Sequence, residues 1–327
     1  ITTPDNTRLY FKDWGSGRPV VLIHGWPLSA DSWDDQALAI AEAGHRVIAY
    51  DRRGFGRSSQ PWSSYDYNTL SDDLAEVIRQ TGATDATLIG FSMGGGEVAR
   101  YMSRHEGKSV VKAALVSSVL PFRLQTADNP GGTEQGAFDQ TAQALRDDRA
   151  RFFTGFFDKF FGVSAAARPV SDELLQWARG VAMQASLRAT LECLKSFSST
   201  DFRGDLPAFT VPTLLIHGTQ DQTAVQTLRP DVQEPAELEH LDLRRRTHQI
   251  RGRTEEAAGD DHNDEHVNPE EMRPAEGRED DQRRVRRQVG PRRTALDTDA
   301  GCRDGAGEDE GDVEEALPEA HADVLHP

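Results

Sequence analysis

Aromatic residues and lysine are missing from the last third of this chain. The 327-residue sequence holds 14 Phe, 5 Trp and 5 Tyr, yet none of them, and no Lys, lies between Gln222 and Pro327. A segment without large apolar side chains buries too little surface to offset the entropy of ordering its backbone. Residues 228–327 also lack any sustained helical or strand period and are about two-fifths charged, so they read as disordered. Cysteine is scarce: Cys193 and Cys302 are far apart and in unlike segments. Two free thiols are expected, which fits a reducing compartment and a cytoplasmic location. No apolar run of about 18 residues exists, so no membrane helix is expected. No basic-then-apolar leader is visible at the first residues. The net charge is −17, and residues 222–327 carry 28 acids and 15 arginines, which leaves the front of the chain near neutral. Neither part offers a basic surface for nucleic acid.

One stretch of the front carries chemistry. The apolar run Thr87-Leu88-Ile89 leads into Gly90-Phe91-Ser92-Met93-Gly94, and helical spacing follows from Glu97. This is G-x-S-x-G between a strand and a helix, the pattern of a nucleophile elbow. A β-carbon at position 90 or 94 would collide with the neighbouring helix or strand. The turn presents the Ser92 hydroxyl at the carboxyl edge of a sheet. The Met93 amide opens the helix and faces a developing oxyanion. A passive serine in a glycine-rich turn is the bland alternative.

Residues 7–14, 19–23, 45–50, 86–89 and 110–117 read as strands, and 31–43, 70–81 and 97–105 as helices. Continuous apolar strands alternating with helices predict an α/β fold, a mostly parallel sheet with helices on both faces. Right-handed crossovers place His24, Asp51, Ser92 and Ser117 along one edge. Residues 1–120 form the first part of this core. Residues 121–205 interrupt the alternation with helices at 149–161, 172–181 and 187–197, and read as a helical cap. The stripe Phe152, Phe153, Phe156, Phe157, Phe160 and Phe161 reads mainly as core, with part of it facing an acyl pocket. Residues 206–223 resume the sheet with a strand at 210–216 and the loop His217-Gly218-Thr219-Gln220-Asp221. Residues 224–327 are the acidic, arginine-rich tail.

A serine nucleophile needs a base, a carboxylate to orient that base and two oxyanion donors. Asp221 follows a strand at the edge that carries Ser92, and is the expected acid; capping the next segment is its alternative. The His24-Gly25-Trp26 turn suits the second donor, with the Trp26 amide turned inward and His24 tying loops together. The base should follow the acid in sequence. His248 is nearest in spacing, but no tail histidine follows an apolar run or sits in a glycine-containing turn. The acidic run around His262 and His266 reads as solvated charge, not as a metal site.

Residues 1 to about 223 resemble the cofactor-free bacterial haloperoxidases, also called perhydrolases or arylesterases, of the α/β-hydrolase superfamily. The stretches that carry the resemblance are YFKDWGSGRPVVLIHGWPLSADSWDDQ, YDRRGFGRSS, GFSMGGGEVARY, VKAALVSS and DFRGDLPAFTVPTLLIHGTQDQT. The resemblance implies Ser92 as nucleophile, Asp221 as triad acid and the Trp26 and Met93 amides as oxyanion donors. It implies a small ester or carboxylic acid as substrate, hydrogen peroxide as a co-substrate and no haem, vanadium or other metal. In such enzymes a proline at the position of Pro27 goes with perhydrolysis, by turning the Trp26 carbonyl toward the acyl centre; stiffening the loop is its plainer role. A homo-oligomer is compatible with this reading.

The resemblance stops after Gln222-Thr223. Its members continue with a last strand, a G-x-P-H-G turn bearing the catalytic histidine, and a final helix. Here arginine-, acid- and alanine-rich sequence follows, as a shifted reading frame of a GC-rich gene would produce. The expectation is an impaired ester hydrolase/perhydrolase; the alternative is a catalytically inactive hydrolase-like binding scaffold or frameshifted product.

Overall fold

The computed structural model describes residues 1–218 and, as backbone, Leu238–Leu243. The strands are β1 (Phe11–Gly15), β2 (Pro19–Ile23), β3 (Arg46–Tyr50), β4 (Ala86–Phe91), β5 (Val110–Val116), β6 (Thr213–Gly218) and β7 (Leu238–Leu243). They form one sheet in the order β1-β3-β2-β4-β5-β6-β7. Only β1 runs antiparallel, against β3; the other pairings are parallel. The helices are α1 (Asp34–Glu42), α2 (Tyr67–Thr81), α3 (Met93–Arg104), α4 (Gln135–Phe160), α5 (Asp172–Met183) and α6 (Leu187–Ser199).

Burial explains why the strands are continuous apolar runs. Along β2, Val21 and Ile23 enter one core with Tyr50, Leu88 and Val98, while Val20 and Leu22 enter a second core with Trp33, Ala37 and Val47. Alternate side chains point to opposite faces, and both faces are covered. Helix starts follow local capping more than apolar spacing. The Asp66 carboxylate accepts from the amides of Asn68 and Thr69, so α2 opens at Tyr67, earlier than its apolar pattern; Gly82, at φ +64°, ends it. α3 opens directly at Met93, with no spacer before Glu97.

Three helices lie between β5 and β6 in the chain, α4, α5 and α6. α4 is longer than its phenylalanine stripe and begins at Gln135. It is broken at Asp148, whose backbone leaves the helical region while its carboxylate caps the Arg151 amide at 2.8 Å. The second half carries the stripe. Phe153 and Phe157 are fully buried, and Phe152, Phe156 and Phe160 turn toward a cavity. The stripe therefore packs the core with one side and lines a cavity with the other.

β7 is a strand that the residue pattern does not announce. Leu238–Leu243 pairs in register with Thr213–Gly218. Ladder bonds come from the backbone, and the open edge of β6 accepts a strand with little regard to side-chain alternation. No helix among the described residues is long and apolar enough to cross a membrane.

Phe157 is 0% exposed and touches Phe153, Phe156, Phe160 and Phe161. Phe157→Ala is expected to cost about 3–5 kcal/mol. Urea unfolding followed by tryptophan fluorescence checks this, with a lower midpoint expected.

Candidate active site

The elbow is built by steric exclusion. A β-carbon on Gly90 would lie 2.6 Å from the Gly94 carbonyl oxygen, and one on Gly94 would lie 2.5 Å from the Ile23 carbonyl oxygen. Only glycine lets α3 turn back so closely over β4 and β2. Ser92 sits between them at φ +52°, ψ −113°. Its amide donates to the Val116 carbonyl at 2.9 Å, and its carbonyl accepts from Gly95 (3.1 Å) and Val119 (3.2 Å). The side chain makes no capping bond, so the hydroxyl is not spent on the helix. Met93 is the first residue of α3, where amides have no intrahelical acceptor.

The loop after β2 approaches from the other side. The Leu28 amide closes a turn onto the Gly25 carbonyl at 3.0 Å, and the Trp26–Pro27 peptide is cis. The Trp26 indole donates to the Thr190 carbonyl on α6 at 3.0 Å. Its ring meets Phe152, Phe153, Phe156 and Phe197 edge-on. Ser92, Trp26, Phe91 and Ser117 share a cavity of about 660 Å³ with residues of α4 and α6. Its wall is largely aromatic near Ser92, and Arg123, Asp147, Asp148, Arg151 and Lys159 add charge.

Beneath the loop lies a polar network among fully buried groups. The Arg52 amide donates to His24 Nε2 at 3.0 Å, so Nε2 is the bare nitrogen and Nδ1 carries the hydrogen, 2.9 Å from the Gly25 carbonyl. The Arg52 guanidinium donates to the His24 carbonyl at 2.6 Å and pairs with Glu97 on α3. The Tyr50 hydroxyl donates to the same carboxylate at 2.7 Å. His24 is therefore a structural residue, as its place before the nucleophile suggests. Asp51 fixes the adjoining loop, accepting from the amides of Ala30 and Arg57 at 2.8 Å each.

Ser92 and Trp26 are thus brought together, with Met93 directly behind the serine and Pro27 in the loop. Asp221 and His248 lie outside the described residues. Within residues 1–218 the histidines are His24, His45, His105 and His217, and none lines the cavity. Ser117 lies on the edge where the crossovers place it, with no role marked by its neighbours in sequence. Thr190, Phe197 and the Arg52–Glu97 pair carry no sequence signal, because residues so far apart leave no local pattern.

Residues 18–234 match the alpha/beta hydrolase fold family. The chain belongs to the α/β-hydrolase family. Within it, the chain groups with the non-heme haloperoxidases. It is 43% identical to a non-heme haloperoxidase of Rhodococcus erythropolis, over 68% of this chain and 81% of that one. It is 39% identical to a bifunctional esterase/perhydrolase of Acinetobacter calcoaceticus, over 68% and 82%. The crystal structure of bromoperoxidase from Bacillus anthracis matches with a TM-score of 0.64 at 44% identity, covering 67% of this chain and 79% of that one. About a fifth of each relative lies outside the match. Membership in the family makes the chain an ester hydrolase or perhydrolase by descent, which fits the serine elbow and its cavity.

Burial, then the adjacent Arg52 charge, holds the His24 pKa well below 6.5. The folded chain resists the proton that the unfolded chain takes up. The stability this contributes is full above about pH 6.5 and is lost as pH falls, at up to about 1.4 kcal/mol per unit. Denaturant midpoints at pH 7.5 and 5.5 should show a shallower pH slope in His24→Gln than in the wild type. Equal slopes would remove His24 as the cause.

Proposed function

We propose that this chain is a serine-nucleophile hydrolase of small carboxylic esters that also performs perhydrolysis, and that it is impaired as it stands. The observation that carries the reading is Ser92 itself: a left-handed serine at a strand–helix elbow, its side chain making no capping bond to the helix, opening on a cavity rich in aromatic side chains. The Ser92 oxygen attacks the acyl carbon, and the carbonyl oxygen gains charge. The Met93 and Trp26 amides are the groups assigned to receive that charge, since the first turn of a helix offers orphan donors. The alcohol leaves with the proton that the Ser92 hydroxyl gave up, and an acyl-enzyme remains. Water resolves it to the acid; hydrogen peroxide resolves it to a peracid, which can oxidise halide away from the protein. Pro27 is assigned to turn the Trp26 carbonyl toward the acyl centre, where it accepts a hydrogen bond from peroxide. Asp221 is assigned as the acid of the triad.

The impairment follows from the base. No histidine within residues 1–218 lines the cavity, and the resemblance is lost where its members carry the catalytic histidine turn. In a comparable serine hydrolase, losing that histidine lowers turnover roughly a million-fold. The same observation favours a second reading, a hydrolase-like binding scaffold or the product of a shifted reading frame.

Purified chain should turn over p-nitrophenyl acetate far more slowly than a full-length relative, and Ser92→Ala should remove the remainder together with fluorophosphonate labelling. Added imidazole should speed labelling of the wild type and leave Ser92→Ala unlabelled. Turnover within about tenfold of the relative would overturn the impairment. Failure of Ser92 to label even with imidazole, beside specific small-molecule binding, would favour the scaffold. Where turnover is measurable, Pro27→Ala should lower the ratio of perhydrolysis to hydrolysis about five- to tenfold, the value of one hydrogen bond.

A further inference from the structure

The cavity holds a second serine in left-handed backbone. Ser117 follows the last residue of β5 as Ser92 follows the last residue of β4, at φ +42° and +52°. Phe91 and Val116 are register partners, so each serine directly follows a paired residue, on strands about 4.8 Å apart. Their backbones are locked together. Val116 accepts from Ser92 at 2.9 Å, and the Ser117 amide donates to Ile216 on β6 at 2.8 Å. Asn6, Ser64, Asp85, Glu106 and Ser109 are also non-glycine residues at positive φ, but of this group only Ser92 and Ser117 line the cavity.

Ser117 carries a backbone cost. Glycine would occupy its backbone conformation without strain, whereas serine does not. Ser117 is also 4% exposed, and its hydroxyl has no hydrogen-bond partner among the described residues. The same cavity is lined by the apolar Trp26, Phe91, Val119 and Phe138. A serine on this wall offers a hydroxyl donor to whatever the cavity binds. A glycine would avoid the strain but would bring no donor to the cavity.

We propose that Ser117 is a substrate-binding residue whose hydroxyl donates a hydrogen bond to an oxygen on the acyl chain, next to the reacting carbonyl. Ser92 bonds the acyl carbon, and Ser117 lies one strand spacing away. An oxygen on the adjoining carbon is the acceptor that the Ser117 hydroxyl takes. The substrate class is small esters of 2-hydroxy or 2-alkoxy acids, ahead of plain alkanoates. This deepens the ester reading and rests on it.

Methoxyacetate and butanoate are close in shape and differ in having an oxygen or a methylene at that position. Both are titrated by ligand-observed NMR against the full chain, Ser117→Ala and Ser117→Gly. The wild type should bind methoxyacetate about five- to tenfold tighter than butanoate, the worth of one added hydrogen bond. Both variants should bind the two acids alike and keep the affinity for butanoate. Ser117→Gly relieves the backbone strain and Ser117→Ala does not, so equal loss in both assigns the effect to the hydroxyl. A preference that survives either substitution, or a wild type that shows none, overturns the proposal. Failure of the ester reading would register elsewhere, as an unlabelled Ser92 with the preference for methoxyacetate intact.

Discussion

Left-handed backbone at Ser92 costs on the order of 1–3 kcal/mol, and such a residue persists only where its surroundings over-determine it. Here three backbone hydrogen bonds do so, one donated to Val116 and two accepted from Gly95 and Val119. At about 1 kcal/mol net each, they offset the strain. The contacts that make the turn possible are the same ones that exclude any side chain at 90 and 94. Sheet, elbow and the start of α3 are one mechanical unit. The Ser92 hydroxyl projects because its backbone has nowhere else to go.

A second constraint joins the loop of Trp26 to this unit. Glu97 lies one helical turn beyond Met93, and its carboxylate holds Arg52 and Tyr50. Arg52 in turn grips the ring and carbonyl of His24, two residues before Trp26. A buried ion pair adds little net stability over an apolar filling, because both charges are stripped of water. What it does supply is geometry, since a buried guanidinium satisfied on several sides tolerates few arrangements. The two amides assigned to the oxyanion thus sit at opposite ends of one rigid polar chain, Met93–Glu97–Arg52–His24–Trp26.

Much of this was legible from residues alone, and the reason is local. Strand β2 shows as Val20 to Ile23 because both faces are buried, and the elbow shows because Gly90 and Gly94 flank Ser92 at fixed spacing. Element starts were less legible: Asp66 opens α2 before its apolar stripe begins, and Asp148 splits α4 into two helices. Contacts between distant segments left no trace. Trp26 and Thr190 are 164 residues apart, and nothing in either stretch names the other. β7 escaped for a different reason, since an edge strand is recruited by the backbone of its neighbour and needs no apolar alternation.

The two halves of a serine hydrolase site differ in what they require of the chain. The oxyanion half consists of amides, and amides are positioned by the fold itself; both amides assigned to it, of Trp26 and Met93, lie within residues 1–218. The basic half consists of side chains that must arrive from beyond β6. In serine hydrolases the first half alone retains about 10³–10⁴-fold catalysis over water. That remainder is not uniform across substrates. A leaving group that departs as a stable anion needs no proton from the base, whereas an alkoxide does. On the proposed reading, with the oxyanion half intact and the base missing, the chain should therefore narrow toward activated esters, and lose simple alkyl esters first.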